Sequence, residues 1–374
     1  MKPLKLSYLA LAISTALPMH SAVAAEENAE QQEPTLERIE VTARKTAENL
    51  QSVPVAVTSI GAEQLAQNGI NVMTEVQQFS PNTTLQKSRG TNSTLTAFIR
   101  GVGQDDPLWG YEPGVGIYVD DVYIARPQGA VLDIVDVERI EVLRGPQGTL
   151  YGKNTIGGAI KYVTKKMSGD FELDLEATFG NYARQDYKVS AKIPVVDDKL
   201  YVGFALANLT RDGFGEFLES DLSGQDLENY NKDVFAGRAT VEFTPNDDWF
   251  FRFNYDKTVD DSNAKGGYRL LPSIVTEAPV PDSVYDSYTS MPTWNSVESE
   301  GMSLTAEYYI SDTWSIKSIT ASRSNYSKTN IDFDNTAERI FDVPAIYDDE
   351  QFSQEFQLNY DTDDLTMVSG LYYF

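Results

Sequence analysis

From residue 171 onwards apolar and polar side chains alternate. Phe171, Leu173, Leu175, Ala177 and Phe179 take odd positions, with Glu172, Asp174, Glu176 and Thr178 between them. Trp249, Phe251, Phe253 and Tyr255 also fall on odd positions. Met302, Leu304, Ala306 and Tyr308 fall on even ones, as do Phe352, Phe356, Leu358 and Tyr360, with one lapse at Gln354. Period two places alternate side chains on opposite faces of a strand, and apolar outside with polar inside is the pattern of a transmembrane barrel wall. Segments 182–193, 200–211, 233–244, 313–327 and 365–374 bring the expectation to about nine strands. Their connectors are short at 195–199, 245–247 and 311–312, and long, polar and acidic at 212–232, 260–300 and 328–351. Short turns on one side and long loops on the other fit an outer-membrane barrel. A soluble sandwich or propeller accounts for the alternation but not for this rhythm, nor for aromatic clusters at strand ends such as Tyr372, Tyr373 and Phe374.

Residues 1–25 read as a cleaved secretory signal. Lys2 and Lys5 precede an apolar run over 6–17 that Pro18 ends, and the small residues of 21–25 offer cleavage after Ala24 or Ala25. That run is shorter than the ~20 residues a spanning helix needs. No later stretch suits such a helix, so any crossing of a bilayer must be made by a closed barrel.

The chain carries 56 Asp plus Glu against 30 Lys plus Arg, a net charge of −26. This argues against nucleic acid and against a polybasic membrane face. Cysteine is absent, and the one histidine is His20, inside the signal. Histidine-based catalysis and thiolate or imidazole metal sites lose their central residue. No catalytic residue, metal ligand or cofactor is expected. Calcium in acidic loops, around Asp256 and Asp261 for example, has no EF-hand pattern behind it.

Residues 137–160 have a different texture. A short apolar and charged run, Val137 to Arg144, meets Gly145-Pro146, and then Gly148, Gly152, Gly157 and Gly158 let the backbone fold back on itself. Gly152-Lys153 looks like the end of a phosphate-binding loop, but the upstream glycines stand at the wrong spacing and Asn154 replaces the Ser or Thr that magnesium requires. Residues 138–152 read Glu-Arg-Ile-Glu-Val-Leu-Arg-Gly-Pro-Gln-Gly-Thr-Leu-Tyr-Gly, followed by Gly157-Gly158. This segment resembles the signature of the plug domain of the TonB-dependent outer-membrane receptors. Thr94 to Gly103, with its Ile99-Arg100-Gly101, resembles a further plug strand, and Gly116 to Tyr123, with Asp120 and Asp121, resembles the family's central strand and turn. Between them and the leader, 53–60 reads as a strand and 61–69 and 72–79 as short helices.

The resemblance implies a mainly β protein: a mixed α+β plug over 47–167, followed over 168–374 by the first part of an antiparallel transmembrane barrel. The family closes that barrel with about 22 strands, and this chain ends at Phe374 inside an alternating strand, so it reads as the N-terminal part of a longer receptor. Residues 26–46 read as a flexible leader, in which Ile39, Glu40, Val41, Thr42 and Ala43 resemble the TonB box. A short β-prone run of this kind can add as a strand to the sheet of TonB, the inner-membrane energy transducer. The leader is too short for an extra signalling domain, which points to transport alone. Arg100, Glu138, Glu141 and Arg144 stand where the family locks plug to barrel. Loops at 86–92, 104–113 and 124–128 would form the floor of the ligand site, with Arg89, Gln104, Trp109, Tyr111 and Arg126 as contacts. The implied function is energised import of a scarce solute across the outer membrane of a Gram-negative bacterium, with outer-membrane lipid around the barrel. A ferric siderophore is the first choice of cargo, and a carbohydrate or other bulky organic nutrient the second. A plug acting alone as a periplasmic transducer-binding module is the other class of reading.

Overall fold

The computed structural model describes residues 39–374 apart from 89–92, 107, 109, 131–135, 219–221 and 223. The expected signal and most of the expected leader lie outside the described residues. In chain order the first part contains β1 (Glu40–Val41), β2 (Glu48–Asn49), β3 (Ala56–Gly61), α1 (Ala62–Gln67), a 3-10 turn at Met73–Gln78, β4 (Thr83–Lys87), β5 (Leu95–Ile99) and β6 (Val102–Gln104). It continues with β7 (Val115–Val119), β8 (Val122–Ile124), β9 (Val137–Arg144), α2 (Gly148–Tyr151) and β10 (Gly158–Thr164). One sheet has the order β3-β9-β10-β7-β8, with β10 parallel to β7 and the other pairs antiparallel. A smaller sheet joins β4, β5 and β6.

The signature strand β9 is central, and Ile140, Glu141, Val142 and Leu143 are all fully buried. Both faces of the strand are covered along these four residues, the Glu141 carboxylate included. The segment expected as one strand over 94–103 is a hairpin. Arg100 and Gly101 have φ of 53° and 78°, and Ile99 pairs with Val102 across them. Left-handed backbone at both central residues of a two-residue turn matches the twist of the flanking strands. Asp120 and Asp121 repeat this geometry, with φ of 46° and 68° between Val119 and Val122. Aspartate tolerates the left-handed region better than most residues. The turn fixes where both carboxylates sit.

The glycine-rich stretch expected as a fold-back contains the short helix α2, and Gly157 and Gly158 act through close approach. A Cβ on Gly157 would lie 2.6 Å from the Val102 carbonyl oxygen and 3.2 Å from that of Gly114. Both obstacles are backbone. Gly157→Ala is therefore expected to destabilise the protein by about 1–3 kcal/mol, read as a lower thermal unfolding midpoint. An unchanged midpoint would contradict this packing.

The second part is an open nine-stranded antiparallel sheet in the order β11-β12-β13-β16-β17-β19-β20-β21-β22. Its strands are β11 (Glu172–Gly180), β12 (Arg184–Val196), β13 (Leu200–Arg211), β16 (Lys232–Asn246), β17 (Trp249–Asp260), β19 (Ser296–Tyr309), β20 (Trp314–Asp332), β21 (Asp342–Asp361) and β22 (Thr366–Tyr373). Phe204, Leu206, Phe253, Met302, Leu304, Phe352 and Phe356 are exposed on its outer face, whereas Thr240, Glu242, Arg252, Asn254, Thr305 and Gln357 are buried. The polar face therefore packs inward, as the alternation predicts. The Gln354 lapse is met by cross-strand partners: its Nε2 donates to Ser318 Oγ at 3.0 Å, and Thr320 Oγ1 donates to its Oε1 at 2.7 Å.

Two expected loops are shorter than the sequence suggests. The 260–300 connector shrinks to 261–295 and the 328–351 connector to 333–341, because β19, β20 and β21 run on well past the apolar segments. Polar residues do not bar strand pairing, because the ladder is made by backbone groups. The long connectors also form a small sheet of their own, β15 (Glu228–Asn229), β14 (Gly215–Leu218) and β18 (Ser287–Tyr288).

Candidate functional site

The N-terminal segment is docked rather than presented. β1 pairs antiparallel with β2 through Glu40↔Asn49 and Val41↔Glu48. Ile39 is 43% exposed, but Val41 and Ala43 are at 0%, packed with Tyr118, Leu143, Tyr151 and Ala159. Thr42 is held from several sides. Its backbone N–H donates to Glu141 Oε1 at 2.9 Å. Its carbonyl and hydroxyl accept from Lys161 Nζ at 3.1 and 2.7 Å. The Tyr151 hydroxyl lies 3.2 Å from the Thr42 carbonyl oxygen and 3.0 Å from that of Ala43. Burial, with Asp121, Glu141 and Glu355 nearby, pushes the Tyr151 phenol well above its usual range, so at neutral pH it keeps the proton it donates.

Lys161 also belongs to a charged node. The Asp121 carboxylate lies 3.2 Å from Lys161 Nζ, 3.4 Å from Lys45 Nζ and 3.5 Å from Lys317 Nζ. Lys45 follows the docked segment, Lys161 is on β10 and Lys317 is on β20, so one carboxylate joins three structural parts. Lys45 Nζ also lies 3.7 Å from Glu355 on β21, and Lys317 Nζ lies 3.0 Å from Glu307 on β19. Three ammoniums thus meet three carboxylates. Lys45 and Lys161 are each only 2% exposed. Lys161, Lys45 and Lys317 together hold the Asp121 carboxyl well below its usual range, overcoming the burial that would raise it.

Arg100, Glu138, Glu141 and Arg144 all lie within the first part of the structure. Glu141 is fully buried and accepts from Thr42 and from Arg139 Nε, the latter at 2.7 Å. Glu138 pairs with Arg139. Arg144 Nη1 donates to the Pro81 carbonyl at 3.5 Å, and the Arg100 guanidinium lies against Gly145. Among the described residues, side-chain contacts across to the nine-stranded sheet are made by others. Arg126 Nε pairs with Asp349 at 2.9 Å, and Gln351 Nε2 donates to the Tyr123 carbonyl at 2.7 Å. Arg252 Nη2 donates to Thr164 Oγ1 and to the Lys165 carbonyl, each at 2.8 Å. The Met167 N–H donates to Glu242 Oε2 at 3.0 Å.

Of the expected ligand contacts, Arg89 and Trp109 lie outside the described residues. Gln104, Tyr111 and Arg126 are brought together around one cavity of about 30 Å³, room for about one water. Tyr111 is 53% exposed, and the Arg126 charge is matched by Asp349. Sequence reasoning missed Lys45, Asp121, Lys161 and Lys317. The available signals were Lys161 standing alone in the apolar run after Gly157-Gly158, and paired aspartates at a predicted turn.

Comparison with known proteins bears on residues 49–159, which match the family described as TonB-dependent Receptor Plug Domain. The pesticin receptor of Yersinia enterocolitica is 29% identical over 232 residues, covering 60% of this chain and 32% of that protein. The vitamin B12 transporter BtuB of Vibrio cholerae is 25% identical over 213 residues, covering 56% of this chain and 33% of that protein. Among solved structures, the ferric yersiniabactin uptake receptor FyuA from Yersinia pestis aligns with a TM-score of 0.71 at 23% identity. That alignment covers 85% of this chain and 48% of FyuA, and it shows a shared fold. The chain spans about a third of the length of the curated relatives it matches.

Proposed function

We propose that the chain is part of a TonB-dependent receptor, its residues 49–159 matching that family's plug domain, and that it serves the energised import of a ferric siderophore across the outer membrane. The observation that carries this reading is the docked segment, residues 39–43. Its side chains are buried at Val41 and Ala43, yet only two of its residues form β1. A segment held by side-chain bonds rather than by a long ladder can leave as a unit and add to the edge of a partner sheet. TonB is the partner this reading assigns to it. Lys45 and Lys161 then tie the position of the segment to Asp121, and through Lys317 to the wall. The name of the ferric yersiniabactin uptake receptor supports an iron chelate as cargo. Arg126, Gln104 and Tyr111 remain the proposed floor contacts, together with Arg89 and Trp109.

The cargo is tested by an immunoblot of outer-membrane fractions from cells grown with and without available iron. A band that rises on iron starvation is expected. A band indifferent to iron would overturn the siderophore assignment and favour an organic nutrient.

A further inference from the structure

Arg126, one of the proposed floor contacts, is already paired. Its Nε donates to Asp349 Oδ1 on β21 at 2.9 Å, so a cargo anion at this guanidinium meets a carboxylate of the wall already in place. The two side chains are 29% and 24% exposed, which leaves the pair within reach of a solute. The backbone beside Arg126 is fixed. Gln351 Oε1 accepts from the Ala125 N–H at 3.1 Å, and Gln351 Nε2 donates to the Tyr123 carbonyl at 2.7 Å. An exchange of partners at Arg126 therefore has to be made by side chains rather than by a shift of the plug loop.

Beside this pair stand a donor and an acceptor with nothing to bond. Asp349 Oδ2 is buried without a hydrogen-bond partner, and neither Nδ2 nor Oδ1 of Asn325 has one. Asn325 is 9% exposed and lies directly opposite Asp349 on the β20–β21 ladder. Opposite residues share one face of a sheet, with Cβ atoms about 5 Å apart. Arg126, Asp349 and Asn325 all line a cavity of about 90 Å³ between plug and wall. It has room for about three waters, space enough for a carboxylate to turn. A buried amide with both atoms unbonded is unfavourable. A second arrangement of the same side chains, with the free Asp349 oxygen on the Asn325 Nδ2, would satisfy it.

We propose that Asp349 is a built-in competitor for an anionic group of the cargo, and that Asn325 is the partner Asp349 turns to when the cargo takes Arg126. In the empty protein Asp349 neutralises Arg126 and the Asn325 amide is unbonded. In the loaded protein the anion holds the guanidinium and the displaced carboxylate accepts from Asn325. Without Asn325 the exchange would leave a part-buried carboxylate with no partner, and an unpaired charge is far more costly to bury than an unbonded amide. The arrangement also sets a threshold. A neutral group offers a guanidinium less than a carboxylate does, so it does not displace Asp349. The proposal deepens the import reading by assigning the residues that select charge on the cargo, and it rests on that reading for its biological use.

The test measures equilibrium binding of ferric citrate, an anionic iron chelate, to the purified receptor in detergent. Wild type, Asp349→Asn, Asn325→Leu and the double variant are compared. Asp349→Asn removes the competitor and is expected to tighten binding roughly fivefold to tenfold. Asn325→Leu is expected to weaken binding about threefold to tenfold. Because the amide makes no bond in the empty protein, its loss should leave the unfolding midpoint unchanged or raised, which separates this effect from a structural one. In the Asp349→Asn background, Asn325→Leu should have no further effect, since the carboxylate it serves is gone. Asp349→Asn binding no more tightly than wild type, Asn325→Leu without effect, or Asn325→Leu weakening both backgrounds equally would overturn the proposal. Absence of binding by all four proteins would overturn it too. Uptake is not read here, so none of these outcomes decides the import reading, which the iron-starvation immunoblot tests separately.

Discussion

Asp121→Asn is expected to lower the stability of the protein by about 3–5 kcal/mol, the usual result of removing one partner from a buried ion cluster. Wild type balances Lys45, Lys161 and Lys317 with Asp121, Glu307 and Glu355. The amide keeps the shape of the side chain and leaves three ammoniums facing two carboxylates. Lys45 and Lys161 have little water to turn to, since both are 2% exposed. Thermal unfolding of the two proteins checks this, and equal midpoints would contradict it. The pH dependence has a definite sign. The folded-state pKa of Asp121 lies below the reference 3.8, so the folded state binds the proton less readily than the unfolded chain. Its contribution is fully present above about pH 4 and is lost as pH falls through the depressed folded value. Wild type should therefore lose its advantage over Asp121→Asn only below about pH 4.

Deleting residues 39–43 is expected to reduce uptake to background and to leave surface binding within about twofold of wild type, since the deletion removes no group from the proposed ligand contacts. The fold should survive it. Removing the buried Val41 side chain forfeits about 1.5–3 kcal/mol, and Thr42 gives up its bonds to Glu141 and Lys161. The main plug core, built on Ile60, Met73, Val76, Leu85, Ile99, Ile140 and Ile160, contains none of the deleted residues. The node lies far along the wall from the long loops. Lys317 is close to the start of β20 at Trp314, and Glu355 is close to the end of β21 at Asp361. The loss is therefore expected in the coupling of import to energy, not in ligand capture.

The wall was the most legible part of the sequence. Outer residues such as Phe253 and Met302 must be apolar and inner ones such as Arg252 and Ser303 need not be, so the face of each residue is written in its position. Where the strands end was less legible. Beyond the apolar segments, pairing depends only on backbone hydrogen bonds, and Asn330 in β20 or Asp348 in β21 gives no local sign of it. In the plug, the Glu138 to Gly158 segment could be read because the close approaches at Gly157 and Gly158 admit no side chain. The node could not be. Its six charged residues come from chain segments more than 300 residues apart at the extremes, Lys45 and Glu355, and nothing in any one segment records the others. Lys45 reads locally as a solvated charge in a leader. Only the docking of residues 39–43 shows that it is buried.

The most direct measurement is a paired one on the same cells: surface binding and energy-dependent uptake of a radiolabelled ferric siderophore, for the wild-type receptor and for the protein lacking residues 39–43. The account predicts bound label in both and internalised label in wild type only. Equal internalised label in the two would contradict it, because residues 39–43 would then have no part in import.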